Sequence, residues 1–257
     1  MYRLPVSKTA VELLPFTGAE DMLLLEPYAG ELEISISLAN RLASRCDGES
    51  LNAADVPLTD LEALLLELRR AVLGDTVTAR AVCPKPGCGA RANITFSLSE
   101  YRAHHGPRTP RLPPLKKDSG WYGISGSDVE FRLVTAGDLL AVEHSPAPKA
   151  ALSLRTIRPE SVSGRDITRI ERWMESLCPS LSQEVQGNCP ECGGVVQLFF
   201  SVRTHVQREL GFEAAFLYQD VHLLASRYHW TEEKILALPR ARRLQYVELA
   251  SNAGGAN

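Results

Sequence analysis

The sequence has little net charge and no long hydrophobic run. Its 28 Lys and Arg residues against 31 Asp and Glu residues leave a net charge of -3, so the whole molecule has no field that would draw it to nucleic acid or anionic lipid. No apolar stretch reaches the ~18 residues of a membrane-spanning helix. Lys8, Glu12, Pro5 and Pro15 interrupt the stretch where a signal peptide would lie. We therefore expect a cytoplasmic protein with no membrane contact.

Catalytic motifs are missing as well. The sequence contains no Gly-x-Ser-x-Gly elbow, no Walker loop, no Gly-x-Gly-x-x-Gly turn and no His-Glu-x-x-His helix. The sequence has no repeat of fixed period, so we do not expect a solenoid. The 44% of hydrophobic residues is ordinary for a packed protein. These features predict a protein that is not an enzyme.

Two cysteine pairs carry the clearest chemistry. CPKPGCG supplies Cys83 and Cys88, and NCPECGG supplies Cys189 and Cys192. Cytoplasmic thiols stay reduced, so such pairs indicate metal ligands more than disulfides. A structural zinc site takes four tetrahedral ligands, and the 100 residues between the pairs add little closure entropy because this grows only logarithmically with length. We predict that the four cysteines hold one structural Zn²⁺ per chain.

Short runs with strand character flank both cysteine pairs. TVTARAV precedes the first pair and ANITFSL follows it, while QEVQG precedes the second and VVQLFFSV follows it. Each pair is therefore predicted at the tip of a β-hairpin. A thioredoxin-like redox role is an alternative, but it favours a helix after the first cysteine, where a strand is predicted. A chance pairing of core thiols is another.

The predicted fold is α+β, with a four-cysteine zinc-ribbon core formed by two distant hairpin knuckles. We divide the chain into a mostly helical region (1–75), a split zinc ribbon (76–100 plus 183–204), an insert with a Pro-rich loop, a strand and helices (101–182), and a C-terminal helical region (205–257). Cys46 and Cys178, which have no partner spacing, are predicted to be buried small residues.

Capping signals predict where the N-terminal helices begin. Thr17 with Glu20, and Thr59 with Glu62, match the capping-box pattern, and Gly74 is the expected stop of the second helix. ISISLANRLASR alternates with period two at its start and is left open as helix or strand. In the insert, residues 101–120 are predicted to be an exposed loop or linker. Its His104 and His105 are either solvated or in contact with a metal or nucleic acid.

The C-terminal region shows regular helical patterns. Leu217, Val221, Leu224 and Tyr228 form one apolar face. Thr231 is the expected N-cap of the next helix, with Trp230 stapled to Ile235. In the last helix, Pro239 suits the first position, and Leu244 and Val247 are expected to face inward together.

Three arginines start that last helix. Arg240, Arg242 and Arg243 oppose the positive end of the helix dipole unless they meet acidic groups or phosphate. We predict a partner-binding surface formed by these residues and Trp230. The alternative is a solvated face that pairs with Glu232, Glu233 or Glu248.

The order of these motifs resembles the baseplate hub assembly chaperone family of contractile phage tails and related bacterial contractile injection systems. The resemblance covers most of residues 55–250. It rests on the following elements in order: LEALLLELRRAVLG, CPKPGCG, DVEFRLVTAGDL, NCPECGG, Val221 to Ala225, Trp230, Ile235 to Leu238, and Arg242 with Arg243 before Tyr246.

The resemblance implies a non-enzymatic assembly factor or structural component that binds baseplate hub, spike or wedge proteins in the cytoplasm. A zinc-ribbon nucleic-acid-binding protein is the alternative function, suggested by the ribbon itself and by Arg240, Arg242 and Arg243. The overall acidity and the lack of an aromatic residue in either knuckle count against nucleic acid as a partner.

Overall fold

A computed structural model describes residues 1–26, 29–117 and 120–252. The helices are Gly18–Leu25 (α1), Glu31–Leu42 (α2), Leu58–Leu73 (α3), Leu98–His105 (α4), Ala136–Val142 (α5), Pro148–Thr156 (α6), Gly164–Leu177 (α7), Val202–Ala214 (α8), Leu217–Tyr228 (α9), Glu232–Leu236 (α10) and Arg240–Asn252 (α11). The strands are Tyr2–Arg3 (β1), Ala10–Leu13 (β2), Ala43–Arg45 (β3), Thr76–Val82 (β4), Arg91–Ser97 (β5), Leu115–Lys116 (β6), Tyr122–Gly123 (β7), Glu130–Phe131 (β8), Ile157–Arg158 (β9), Gln183–Asn188 (β10) and Val195–Phe200 (β11).

The chain is a mixed α and β protein, and it divides into two compact units. The first unit contains residues 1–2, 10–51 and the described part of 203–257, and the second contains residues 3–9 and 52–202. Both cysteine pairs belong to the second unit. In the described ranges, no helix combines the length and apolar character needed to cross a bilayer.

The first unit begins with a short antiparallel pair, β2 with β3, followed in space by helices. The capping box of α1 is confirmed, because the Glu20 carboxylate accepts from the Thr17 N–H at 2.9 Å and the Thr17 hydroxyl accepts from the Ala19 N–H at 3.3 Å. ISISLANRL is helical, as α2. Its Leu32, Ser35, Ala39 and Leu42 are buried at spacings of three and four residues, so the helical period wins over the local alternation.

The C-terminal helices of the first unit surround a small core of Leu224, Ile235 and Ala250, against which Trp230 packs. Thr231 caps α10 as predicted, since its hydroxyl accepts from the Lys234 N–H at 3.4 Å. The predicted inward face of α11 is wrong for Leu244 alone. Val247 packs against this core, but Leu244 is 47% exposed, whereas its neighbour Arg243 is buried.

Helix α3 is buried along most of its length in the second unit. It ends at Gly74 as predicted, with a positive φ of 79° that glycine adopts without strain. Its predicted capping box is wrong. Pro57 is the N-cap, the Thr59 hydroxyl donates to the Pro179 carbonyl, and the Glu62 carboxylate accepts from the Leu181 N–H at 2.6 Å. Tertiary contacts therefore take both side chains away from the helix start.

The insert forms a four-stranded sheet in the order β6-β7-β8-β9, with its neighbours antiparallel. Phe131 of this sheet stacks on Trp173 of α7, with ring centroids 5.7 Å apart. The loop predicted over 101–120 is partly wrong, because α4 extends to His105 and β6 lies further along. Residues 118 and 119 of that predicted loop fall outside the described residues.

Two antiparallel hairpins face each other in the second unit. β4 pairs with β5 from Thr76↔Ser97 to Val82↔Arg91, and β10 pairs with β11 from Gln183↔Phe200 to Asn188↔Val195. Strand β5 contacts β10, and β4 contacts β11. The approach is close at Gly187, where a Cβ atom would lie 3.1 Å from Cγ1 of Ile94. The turn ends of both hairpins thus bring the cysteine pairs together.

Candidate metal centre

The two cysteine pairs lie in the turns that close the two hairpins. The Cys83 N–H donates to the Ala90 carbonyl at 2.8 Å, and the Cys189 N–H donates to the Gly194 carbonyl at the same distance. These bonds extend each ladder by one step beyond the strands. The first cysteine of each pair is therefore held rigidly at a strand end.

Glycines shape the turns that carry the paired cysteines. Gly87, Gly89 and Gly193 have φ values of 79°, 59° and 67°, in the left-handed region where a side chain is strained. Gly194 lies close to the second pair instead, because a Cβ atom there would be 3.3 Å from the Cys192 sulfur. Both turns can thus fold back tightly enough to present two sulfurs on one side.

The four sulfur atoms converge on one point. All lie within 4.8 Å of one another. The Sγ atoms of Cys83 and Cys192 are 3.6 Å apart, and those of Cys88 and Cys189 are 3.7 Å apart. Sulfurs bound at ~2.3 Å to a tetrahedral metal are about 3.8 Å from each other. The cluster therefore has dimensions that fit a four-thiolate metal ion.

The surroundings of the thiols give them different pKa values. Hydrogen bonds from the backbone N–H groups of Cys192 and Glu191 lower the pKa of Cys189 to about 7. The Ala90 N–H has the same effect on Cys88, but the neighbouring thiols of Cys192 and Cys189, together with desolvation, raise its pKa to about 12. Four thiolates so close together repel one another. The positive charge of a bound metal ion offsets this repulsion, and thiols that coordinate the ion are therefore deprotonated.

The donor set limits which metals fit. Four sulfurs in a tetrahedron are typical of zinc or of iron-sulfur centres. Cys83 and Cys189 are buried, while Cys88 and Cys192 are half-buried. Within the described part of the chain, no other group of three or more His, Cys, Asp or Glu side chains has this convergence.

The two remaining cysteines lie outside the cluster. Cys46 is exposed, so its predicted burial is wrong. Cys178 is half-buried, and its sulfur accepts a hydrogen bond from the Thr59 hydroxyl at 3.2 Å. Burial raises the pKa of the Cys178 thiol above its ordinary value. Neither residue contributes a metal ligand.

The histidine pair lies at the end of α4, away from the sulfurs. The rings of His104 and His105 are 4.7 Å apart and nearly perpendicular. With Arg108 and Cys178 they line a cavity of about 360 Å³. Arg108 bridges two helix ends there, since its backbone N–H donates to the Ser176 carbonyl and its guanidinium donates to the His104 carbonyl, each at 2.7 Å.

The arginines predicted to bind a partner are divided between interior and surface. Arg240 and Arg243 are 7% and 1% exposed, so their guanidinium groups do not form a surface. Arg243 donates to Asp21 at 2.5 Å and to Asp220 at 3.2 Å, and Arg240 also pairs with Asp21. Arg242 is exposed and Trp230 half-buried. A partner-binding role for these last two residues stays a prediction.

Asp21 and Asp220 are the residues that the sequence analysis missed. Both are buried, and burial raises the pKa of Asp220 more than Arg243 lowers it. A signal was present in the sequence. Asp220 lies on the same helical stripe as Leu217 and Leu224, and a carboxylate on an apolar stripe indicates a buried partner of opposite charge.

Comparison with known protein families identifies a relationship. A model of the family described as T4 bacteriophage base plate protein matches residues 1–138, more than half of the 257 residues. The matched segment includes Cys83 and Cys88 but ends before the second cysteine pair. No curated protein and no solved structure matches the chain.

Proposed function

Because this chain belongs to the T4 bacteriophage base plate protein family, we propose that it is a non-enzymatic assembly factor or structural component of the baseplate hub in a contractile phage-tail-like injection system. The family match over residues 1–138 is the observation that carries this proposal. The ordered motifs between residues 55 and 250 support the narrower role of an assembly chaperone. Its partners are then hub, spike or wedge proteins, met in the cytoplasm while a baseplate is built.

We further propose that the four clustered cysteines bind one Zn²⁺ per chain and form a zinc ribbon. The sulfur separations of 3.6 and 3.7 Å support this assignment. A zinc ion with four thiolate ligands has no open position for a water molecule, so it serves folding and not catalysis. The ion would join two hairpins separated by a long insert and so stabilise the second unit.

The nucleic-acid alternative loses part of its basis. Arg240 and Arg243 were two of the three arginines that suggested it, and both are buried beside Asp21. Phosphate binding needs cations on the surface. We expect no binding of DNA or RNA at about 50 mM salt, a condition that strengthens such contacts.

Co-purification tests the baseplate role directly. The tagged chain is expressed together with the whole gene cluster that encodes it, and proteins retained on the tag are identified by mass spectrometry. Recovery of hub, spike or wedge proteins supports the proposal. If assembled tails are present in the cells and none of these proteins is retained, the proposal is wrong. Zinc content is measured on the same sample, so the two proposals succeed or fail separately.

A further inference from the structure

The two hairpins carry charges of opposite sign. Residues 76–97, which contain β4, β5 and their turn, include Arg80, Lys85 and Arg91 but no Asp or Glu. Residues 183–200, which contain β10, β11 and their turn, include Glu184 and Glu191 but no Lys or Arg. Acidic and basic residues are almost equal in number over the chain as a whole. The pair of hairpins therefore has a positive and a negative side.

Each hairpin turns one face away from the other. The inner faces bury side chains such as Val77, Ile94, Val185 and Val196. We call the exposed face of the first hairpin the basic face, which consists of Thr78, Arg80, Val82, Arg91, Asn93 and Thr95. We call that of the second hairpin the acidic face, which consists of Glu184, Gln186, Asn188, Val195, Gln197 and Phe199.

Both faces combine unpaired charge with exposed apolar surface. In the part of the chain that the structure describes, Arg80, Arg91 and Glu184 form no ion pair. Val82 on the basic face is 63% exposed, and Phe199 on the acidic face is 61% exposed. An apolar group beside an unpaired charge on each face, with charges of opposite sign, makes the two faces complementary to each other.

The strand register fixes where the charges lie along each face. On the basic face, Arg91 is paired with Val82 at the turn end of the hairpin. On the acidic face, Glu184 is paired with Phe199 at the end away from the turn. If the two faces meet with their turns at opposite ends, Arg91 comes to lie over Glu184 and against the Phe199 ring, which adds a cation-π contact. Turns at the same end would miss both contacts.

We propose that the basic face of one copy of this chain docks on the acidic face of a second copy, with the hairpin turns at opposite ends. Such a contact uses a different surface on each copy, so each member of a dimer still has one free face. Further copies can add to these free faces, and the assembly grows into a ring or an open chain. Two-stranded faces are small, so the association is weak and sensitive to salt. The contact does not depend on the identity of the metal.

Sedimentation velocity of the full chain tests the contact without any mutation. We expect association to increase with protein concentration at about 50 mM salt and to weaken at least tenfold at about 500 mM salt, where charges are screened within a few ångströms. A chain that stays monomeric at millimolar concentration in low salt would overturn the proposal. Association that does not respond to salt would overturn it as well.

Charge reversal tests which faces meet. Arg80→Glu with Arg91→Glu makes both faces acidic, and Glu184→Arg makes both basic. Each variant alone is expected to associate at least tenfold more weakly than the unmodified chain, and an equimolar mixture of the two is expected to regain association. The matched control is Arg165→Glu with Arg172→Glu, which changes the same charge at exposed positions of α7.

The mixing experiment separates complementarity from damage. An unchanged metal content and unfolding midpoint show that each variant is folded. If the folded variants associate as well as the unmodified chain, or if both are monomeric and their mixture stays monomeric, the proposed contact is wrong. An effect of the α7 control equal to that of the hairpin variant would also contradict it, since net charge alone would then explain the result.

Discussion

Arg243 donates a hydrogen bond of 2.5 Å from Nη2 to Oδ2 of Asp21, and both side chains are almost completely buried. The two residues are 222 positions apart in the sequence. Arg240 also pairs with Asp21, and Arg243 also pairs with Asp220. The first unit thus encloses two cations and two anions that neutralise one another.

Removing one member of this buried group should strongly destabilise the first unit. We expect Arg243→Met to lower the free energy of unfolding by about 3–5 kcal/mol, because Asp220 loses its cation while remaining buried. Chemical denaturation followed by circular dichroism measures the change.

The neighbouring arginine provides the control for that experiment. Arg242 is exposed, so Arg242→Met should change the free energy of unfolding by no more than about 0.5 kcal/mol. Equal effects of the two substitutions would contradict the buried role assigned to Arg243.

Zinc removal should destabilise the second unit. We expect one zinc ion per chain by elemental analysis, and a lower unfolding midpoint after chelation, because a metal bound only by the folded state stabilises that state. Cys189→Ser together with Cys192→Ser should abolish zinc binding. Cys46→Ser should retain it, since Cys46 is exposed and outside the cluster. Iron in place of zinc, or zinc retained by the double variant, would contradict the assignment.

Asp138 should make the second unit sensitive to acid. Burial raises the pKa of its carboxyl group, but hydrogen bonds from Arg132, Thr135 and Arg155 outweigh burial and hold that pKa well below its ordinary value. A lowered pKa in the folded state contributes stability above the unfolded-state pKa of ~3.9, and this contribution is lost as the pH falls. We expect Asp138→Asn to be less stable than the unmodified chain at pH 7.

The difference between the two proteins isolates Asp138 from other acid-sensitive groups. Urea denaturation between pH 7 and pH 3 should show that the stability difference between the unmodified chain and Asp138→Asn shrinks below about pH 4. A difference that stays constant over this range would show that the carboxylate is not held in its charged form by the arginines.

Two helical glycines should respond to alanine in opposite directions. A Cβ atom on Gly18 would lie 2.8 Å from the backbone Cα of Leu236, so Gly18→Ala forces α1 and α10 apart and should destabilise the first unit by about 1–3 kcal/mol. Gly211 in α8 has open space around it, and Gly211→Ala should stabilise the helix by about 0.5–1 kcal/mol. Thermal unfolding compares the two, and stabilisation by both substitutions would refute the close contact at Gly18.

The features that could be predicted from the sequence depend on near neighbours or on chemistry that tolerates distance. The capping box of Thr17 and Glu20 spans four residues, and the hairpins around the cysteines combine alternating strands with glycine turns. The relationship to phage baseplate proteins, expected from the order of motifs, is confirmed by the family match. The convergence of the four sulfurs was expected because paired cysteines in a reducing compartment indicate the ligands of one shared metal ion.

Where two local signals competed, only tertiary packing decided between them. Thr59 and Glu62 match a capping box as well as Thr17 and Glu20 do, but Pro179 and Leu181 bind them instead. Burial against neighbouring elements likewise made ISISLANRL a helix, despite its alternating start.

The arginines of α11 show most clearly what the sequence determined and what only the tertiary structure decided. The sequence determined that three cations at the start of a helix need an opposite charge nearby, because the helix dipole repels them. It did not determine that Asp21 would supply this charge from inside the unit and place Arg243, and not Leu244, in the interior. A buried carboxylate more than two hundred residues away leaves no local periodic pattern, so only the tertiary structure decided which side of the helix became the core.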